Sequence, residues 1–247
     1  MCLYLATFFA LAWLRFPFVY WTWLISAAAA TGGSIAILER GSWPIGLFVR
    51  PALAVRELVL GAVWAFALIG GAAVLIVLTS DIRHAPGRGF PWRDLAVIFL
   101  PAAVHEELLF RGYLFQKLAR WQRGFAILFG ALLFAALHLG NNAVSALALT
   151  NIFLGGVLLG LAYLAYERLW FPIGLHLGWN LMSGPILGHE VSGYDPVQSV
   201  LVEHGGGIPW ITGGDFGIEA SIWATAAELL AIALLGVRAA RTGSRKT

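Results

Sequence analysis

Apolar residues in this chain fill whole segments instead of alternating or recurring on one helical face. Seven such segments can be drawn, at 3–38, 57–79, 95–118, 124–140, 146–166, 169–188 and 218–237. A run of about 20 apolar residues is what an α-helix needs to cross a hydrocarbon layer about 30 Å thick. The pattern therefore predicts an all-α, polytopic transmembrane helical bundle of about seven spans. Segment 3–38 is too long for one straight span, and Arg15-Phe16-Pro17 is expected to kink or split it. No repeat, low-complexity tract or linker interrupts the pattern, so residues 1–247 read as a single integral membrane domain.

Composition supports that picture. Of the 247 residues, 60% are hydrophobic and 12% charged, too few polar groups to cover a soluble domain of this size. The 29 glycines agree with transmembrane helices, in which Gly is frequent. Cys2 is the only cysteine, which excludes an internal disulfide or a cysteine metal cluster. The chain begins apolar without a basic leader region, so either the first helix serves as its own insertion signal or the start lies upstream.

A pI of about 9.3 would suit a nucleic-acid binder, but the basic residues sit in short connections between apolar segments. Membrane topology explains them better, and no nucleic-acid partner is expected. One set of connections and the tail carry Arg40, Arg50, Arg56, Lys117, Arg120, Arg123, Arg168, Arg238, Arg241, Arg245 and Lys246. The other set carries Arg83, Arg88 and Arg93. The bias predicts that 238–247 is a cytoplasmic basic tail, and that 189–219, polar and net acidic, is a loop on the outer face. Trp21, Trp23, Trp43, Trp92, Trp121 and Trp170 fit interfacial anchors.

Ionisable groups at bilayer depth cost roughly 2.5–3.5 kcal/mol each on insertion scales, so they are functional candidates. Segment 95–118 contains His105, Glu106, Glu107 and Arg111; segment 124–140 contains His138; segment 169–188 contains His176 and Asn180, four apart on one helix face. Glu107 and Arg111 are also four apart and can pair across one turn. Glu106 points about 100° away from Glu107 and is left without that partner. At 1.5 Å per residue, Glu106, His138 and His176 lie roughly 16, 21 and 12 Å from the same membrane face, close enough for one shared site.

Other hydrolase signatures fail. His105-Glu106-Glu107-Leu108-Leu109 has Leu where a zincin needs its second His, and no GxSxG elbow occurs. Tyr194-Asp195 and Gly213-Gly214-Asp215 only faintly match aspartyl intramembrane proteases, since Thr212 stands where the second motif needs Gly. Gly156-x-x-x-Gly160 and Gly174-x-x-x-Gly178 read as close helix-packing positions. His105 reads as structural, and His84, His189 and His204 receive no role.

Glu106-Glu107-x-x-x-Arg111, Phe134-x-x-x-His138 and His176-x-x-x-Asn180, in that order, resemble the three motifs of the CAAX-protease and bacteriocin-processing family. That family includes the type II CAAX prenyl endopeptidases. The likeness is strong over about 92–188, which would be the catalytic core, and looser over 205–237. It implies a glutamate-activated water: Glu106 as general base, His138 helping to hold the water, and His176 and Asn180 stabilising the oxyanion. Glu107 and Arg111 would support the site. The metal stays open, because Glu106, His138 and His176 could hold Zn²⁺ with a free fourth position or hold water alone. The substrate would be a membrane-associated peptide or protein, and the location a prokaryotic cytoplasmic membrane. Two other functions compete: a non-catalytic immunity or scaffold protein of the same fold, and a proton-coupled transporter. The second lacks the inverted repeat that would support it.

Overall fold

A computed structural model describes residue 6 and residues 19–41, 43, 45–195 and 198–244. The expected break at Arg15-Phe16-Pro17 and the basic residues Arg245 and Lys246 lie outside the described residues. The longer helices are α1 (Val19–Leu38), α2 (Pro51–Thr79), α3 (Leu100–Arg111), α4 (Tyr113–Trp121), α5 (Arg123–Leu137), α6 (Ala146–Tyr166), α7 (Trp170–Leu181) and α8 (Ile222–Ser244). Side-chain caps start several of them: the Ser145 hydroxyl accepts from Ala148 N–H at 3.0 Å, and the Ser221 hydroxyl accepts from Ala224 N–H at 3.0 Å.

Among the described residues, four helices have the length and apolarity to cross a membrane: α1, α2, α6, and α8 over Ile222–Thr242. The other expected spans are shorter or interrupted. Segment 95–118 becomes a π-turn at Leu95–Phe99, then α3, a break at Gly112, and α4. Two local causes act here. Pro101 has no N–H to continue the π ladder onto Ala96, and the indole of Trp21 donates to that carbonyl instead at 3.1 Å. At the other end, a Cβ on Gly112 would stand 2.0 Å from the Leu108 carbonyl oxygen, a turn open only to glycine. Segment 124–140 ends at Leu137, and 169–188 is the twelve-residue α7 followed by a π-turn at Met182–Ile186 that contains Pro185.

Small residues bring the central helices together. A Cβ on Gly174 would lie 2.1 Å from Leu58 O, and one on Gly178 would lie 2.7 Å from Ala62 Cα, so α7 runs backbone to backbone along α2. His176 stands two residues from each glycine, about 200° round the helix, and so faces away from α2. On α6, a Cβ on Gly156 would lie 2.7 Å from Ala131 Cα of α5.

The stretch 189–219 is more ordered than a plain polar loop. Leu201–His204 (β2) pairs antiparallel with Arg83–Pro86 (β1), register Arg83 to His204, in a two-stranded sheet. Short helical turns follow at Pro209–Thr212, Gly214–Phe216 and Ile218–Ala220. His189 bonds both strands: its Nε2 is 3.3 Å from His84 Nε2, and its Nδ1 pairs with the Glu203 carboxylate. At the opposite end, Trp43 donates to Gln116 at 3.0 Å, and the Arg120 guanidinium lies 3.8 Å over the Trp43 ring. Arg168 and Glu57 form a forked ion pair that ties the α6–α7 turn to α2.

Candidate active site

Polar side chains in α3, α5 and α7 converge because each helix carries its polar residues on the face turned from its apolar neighbours. On α3, Glu107 is fully buried, and its Oε1 accepts from Arg111 at 2.9 Å. The same guanidinium donates to Gly156 O of α6 at 3.0 Å and lies 5.0 Å over the Phe134 ring. The short glycine lets α6 present that carbonyl. Arg111, 1% exposed, is thereby satisfied without water.

Glu107 also reaches a third helix. Its Oε1 lies 3.0 Å from His176 Nδ1. A carboxylate already paired with Arg111 is an acceptor only, so His176 Nδ1 carries the proton and Nε2 faces the other way. There it meets Glu106, whose Oε2 is 3.7 Å from His176 Nε2. That separation exceeds a direct hydrogen bond and suits one bridging water. Glu106 Oε2 is buried and has no hydrogen-bond partner among the described residues.

His138 caps the end of α5. Its Nδ1 is 2.7 Å from the Phe134 carbonyl, which can only accept, so Nε2 is left with its lone pair in the neutral ring. Phe134 lies between the two imidazoles, with centroids 4.6 Å from His138 and 6.1 Å from His176.

Glu106, His138, His176 and Asn180 all line one cavity of about 740 Å³. Thus every predicted site residue is at or directly behind this cavity: Glu107 and Arg111 form the buried support, and the other four face the space. Among the described residues no three His, Cys, Asp or Glu side chains converge on a common metal position. The arrangement of Glu106, His138 and His176 therefore does not fit a preformed Zn²⁺ site. His105, 4% exposed, donates from Nδ1 to Pro101 O at 3.1 Å, packs on Trp23 and also borders the cavity.

Sequence reasoning missed the far wall of the cavity. Glu219 accepts from Trp179 Nε1 at 3.1 Å, from Ser192 N at 2.7 Å and from Ser192 Oγ at 2.9 Å. Burial pushes its carboxyl pKa up, and the Ser192 bonds and the two site histidines act against that shift. Asn151 of α6 donates to Glu219 O at 2.7 Å and to Ser221 O at 2.9 Å, holding this connection against the bundle. Glu228 of α8 lines the cavity as well. Its signal was present in the sequence, since Glu219 and Glu228 are the two acidic residues in the final apolar segment, 218–237.

Residues 88–182 match the family model described as type II CAAX prenyl endopeptidase Rce1-like. No curated protein and no solved structure matches the chain.

Proposed function

We propose, on the match of residues 88–182 to the Rce1-like type II CAAX prenyl endopeptidase family model, that the protein hydrolyses peptide bonds inside the membrane with a glutamate-activated water. The observation that carries this reading is the Arg111–Glu107–His176 chain of buried bonds ending 3.7 Å from Glu106.

In the proposed reaction, Glu106 Oε2 takes a proton from a water held in the gap toward His176, with His138 Nε2 as a second acceptor. The water oxygen attacks the scissile carbonyl carbon, and its oxygen becomes an oxyanion. Asn180 and His176 Nε2 donate to that oxyanion. Because Nδ1–H is committed to Glu107, donation from Nε2 requires the imidazolium, which is countered by Glu107 on one side and the oxyanion on the other. Protonated Glu106 then passes its proton to the leaving amine, and the peptide C–N bond breaks. Preorganised donors to an oxyanion supply the largest single part of such catalysis, about 2.7–4 kcal/mol for one donor.

The same reading makes the protein an integral membrane enzyme of a prokaryotic cytoplasmic membrane, with α8 ending on the cytoplasmic side. The C-terminal basic residues support that orientation. Its substrate class is a membrane-associated peptide or protein.

The test compares the termini of membrane proteins in cells expressing the wild type, Glu106→Gln or His176→Ala at equal levels. Termini present only with the wild type are expected. Identical termini in all three strains would remove the proposal.

A further inference from the structure

Glu228 is an acidic group for which neither the proposed mechanism nor the helix packing has a use. It sits among apolar residues of α8, is 4% exposed, and borders the same cavity as Glu106. Its Oε2 is buried and has no hydrogen-bond partner among the described residues. Glu219, by contrast, has its carboxylate oxygens satisfied by Trp179 and Ser192.

Among the described residues no Lys or Arg pairs with Glu228, and no histidine forms an ion pair with it. Arg111 is committed to Glu107 and Gly156. Arg238, the next cation along α8, lies roughly 15 Å further on at 1.5 Å per residue and covers the Tyr166 ring at 4.1 Å. The neighbouring helix leaves room for the carboxylate instead: a Cβ on Gly155 would stand 3.3 Å from Glu228 Oε1. Glu219 lies close enough to repel Glu228 electrostatically.

The cavity wall shares this sign. Asp94, Glu106, Asp195, Glu219 and Glu228 line it, and no Lys or Arg does so among the described residues. A carboxylate desolvated in an apolar wall is costly until a cation pairs with it. A cavity of about 740 Å³ is large enough for several residues of an extended peptide.

We propose that Glu228 is the floor of a specificity subsite that takes the ammonium or guanidinium group of a basic residue in the peptide substrate. Naming the ligand as a peptide rests on the endopeptidase reading above; the preference for a cation rests on Glu228 and the wall around it. Pairing follows simple chemistry: the bound cation donates N–H bonds to the Glu228 carboxylate, whose Oε2 lacks them, and Glu219 adds negative potential behind it.

Binding can be read without turnover in the full chain carrying Glu106→Gln, purified in detergent micelles. Two blocked pentapeptides serve as probes, four leucines around a central lysine or a central norleucine, which lacks only the ammonium group. Fluorescence of Trp23 and Trp179, both in the cavity wall, reports occupancy. The lysine peptide is expected to bind at least tenfold more tightly, and the added Glu228→Gln substitution to bring the ratio within twofold of unity. Equal affinities before that substitution, or an unchanged ratio after it, would overturn the subsite.

Carbodiimide coupling of the lysine peptide gives a readout that needs no variant at Glu228. Mass spectrometry is expected to find the cross-link on Glu228, and cross-links confined to Asp94 or Asp195 would count against the assignment. Incubating the wild type with both peptides separates the two readings. Discrimination without cleavage strikes the protease proposal alone, whereas cleavage without discrimination strikes the subsite alone.

Discussion

Replacing Arg111 by methionine separates support of the site from its chemistry. The substitution keeps most of the side-chain volume and removes the charge. Arg111 is 1% exposed and Glu107 is fully buried, so the change leaves a carboxylate uncompensated in the centre of the bundle. Breaking one partner of such a pair costs about 3–5 kcal/mol. The lost bond to Gly156 O and the cation–π contact with Phe134 are part of that figure, since they belong to the same guanidinium. At about 1.4 kcal/mol per decade, the folding equilibrium should fall by roughly two to four decades. Adding Glu107→Leu removes the stranded charge, so the double variant should regain stability relative to Arg111→Met. Activity should not return with it, because His176 Nδ1 has then lost its carboxylate. Denaturant titration in micelles measures the first effect and peptide cleavage the second. A cost under 1 kcal/mol for Arg111→Met, or a double variant less stable than the single, would refute the reasoning; so would recovery of full activity in the double variant.

Further expectations concern packing and pH. Gly178→Leu must push α7 from α2, because even a Cβ there meets Ala62 Cα at 2.7 Å; a loss of about 1–3 kcal/mol, together with lowered activity through displacement of His176, is expected from the same two assays. Gly71, with no atom within 4 Å of its Cβ position, is the control and should tolerate alanine. At the two-stranded sheet, burial first and neighbouring His189 second lower the His84 pKa below its ordinary 6.5, while Glu203 opposes them. The neutral ring is therefore favoured by folding: its contribution is present above about pH 6.5 and is lost as pH falls through the lowered folded-state value. Amide exchange in β1 and β2 should accelerate over that interval, and His84→Gln should flatten the dependence; an unchanged profile would contradict this assignment.

Much of the candidate site was legible in the sequence. Spacing alone paired Glu107 with Arg111 and turned Glu106 to another face, because a helix of 3.6 residues per turn makes i and i+4 neighbours and separates i from i+1. The same arithmetic put His176 and Asn180 together and made Gly174 and Gly178 a contact surface. Reading spans was less successful where local backbone chemistry interrupts an apolar run: Pro101, Gly112 and Pro185 divide helices that hydropathy draws as continuous. Hydropathy measures transfer to lipid and carries no information on whether each peptide N–H finds its carbonyl.

What the chain determined by itself is what covalent spacing controls: which segments are apolar, which side chains share a helix face, and which carboxylate has a cation one turn away. Only the tertiary structure decided that Glu107 serves Arg111 and His176 together, that His138 terminates its helix, and that Glu219 and Glu228 close the cavity. Those contacts join residues as much as 69 positions apart in the case of Glu107 and His176. They depend on how closely α7 approaches α2, and α6 approaches α5, through glycines, a distance set by packing and invisible in the spacing of any one helix.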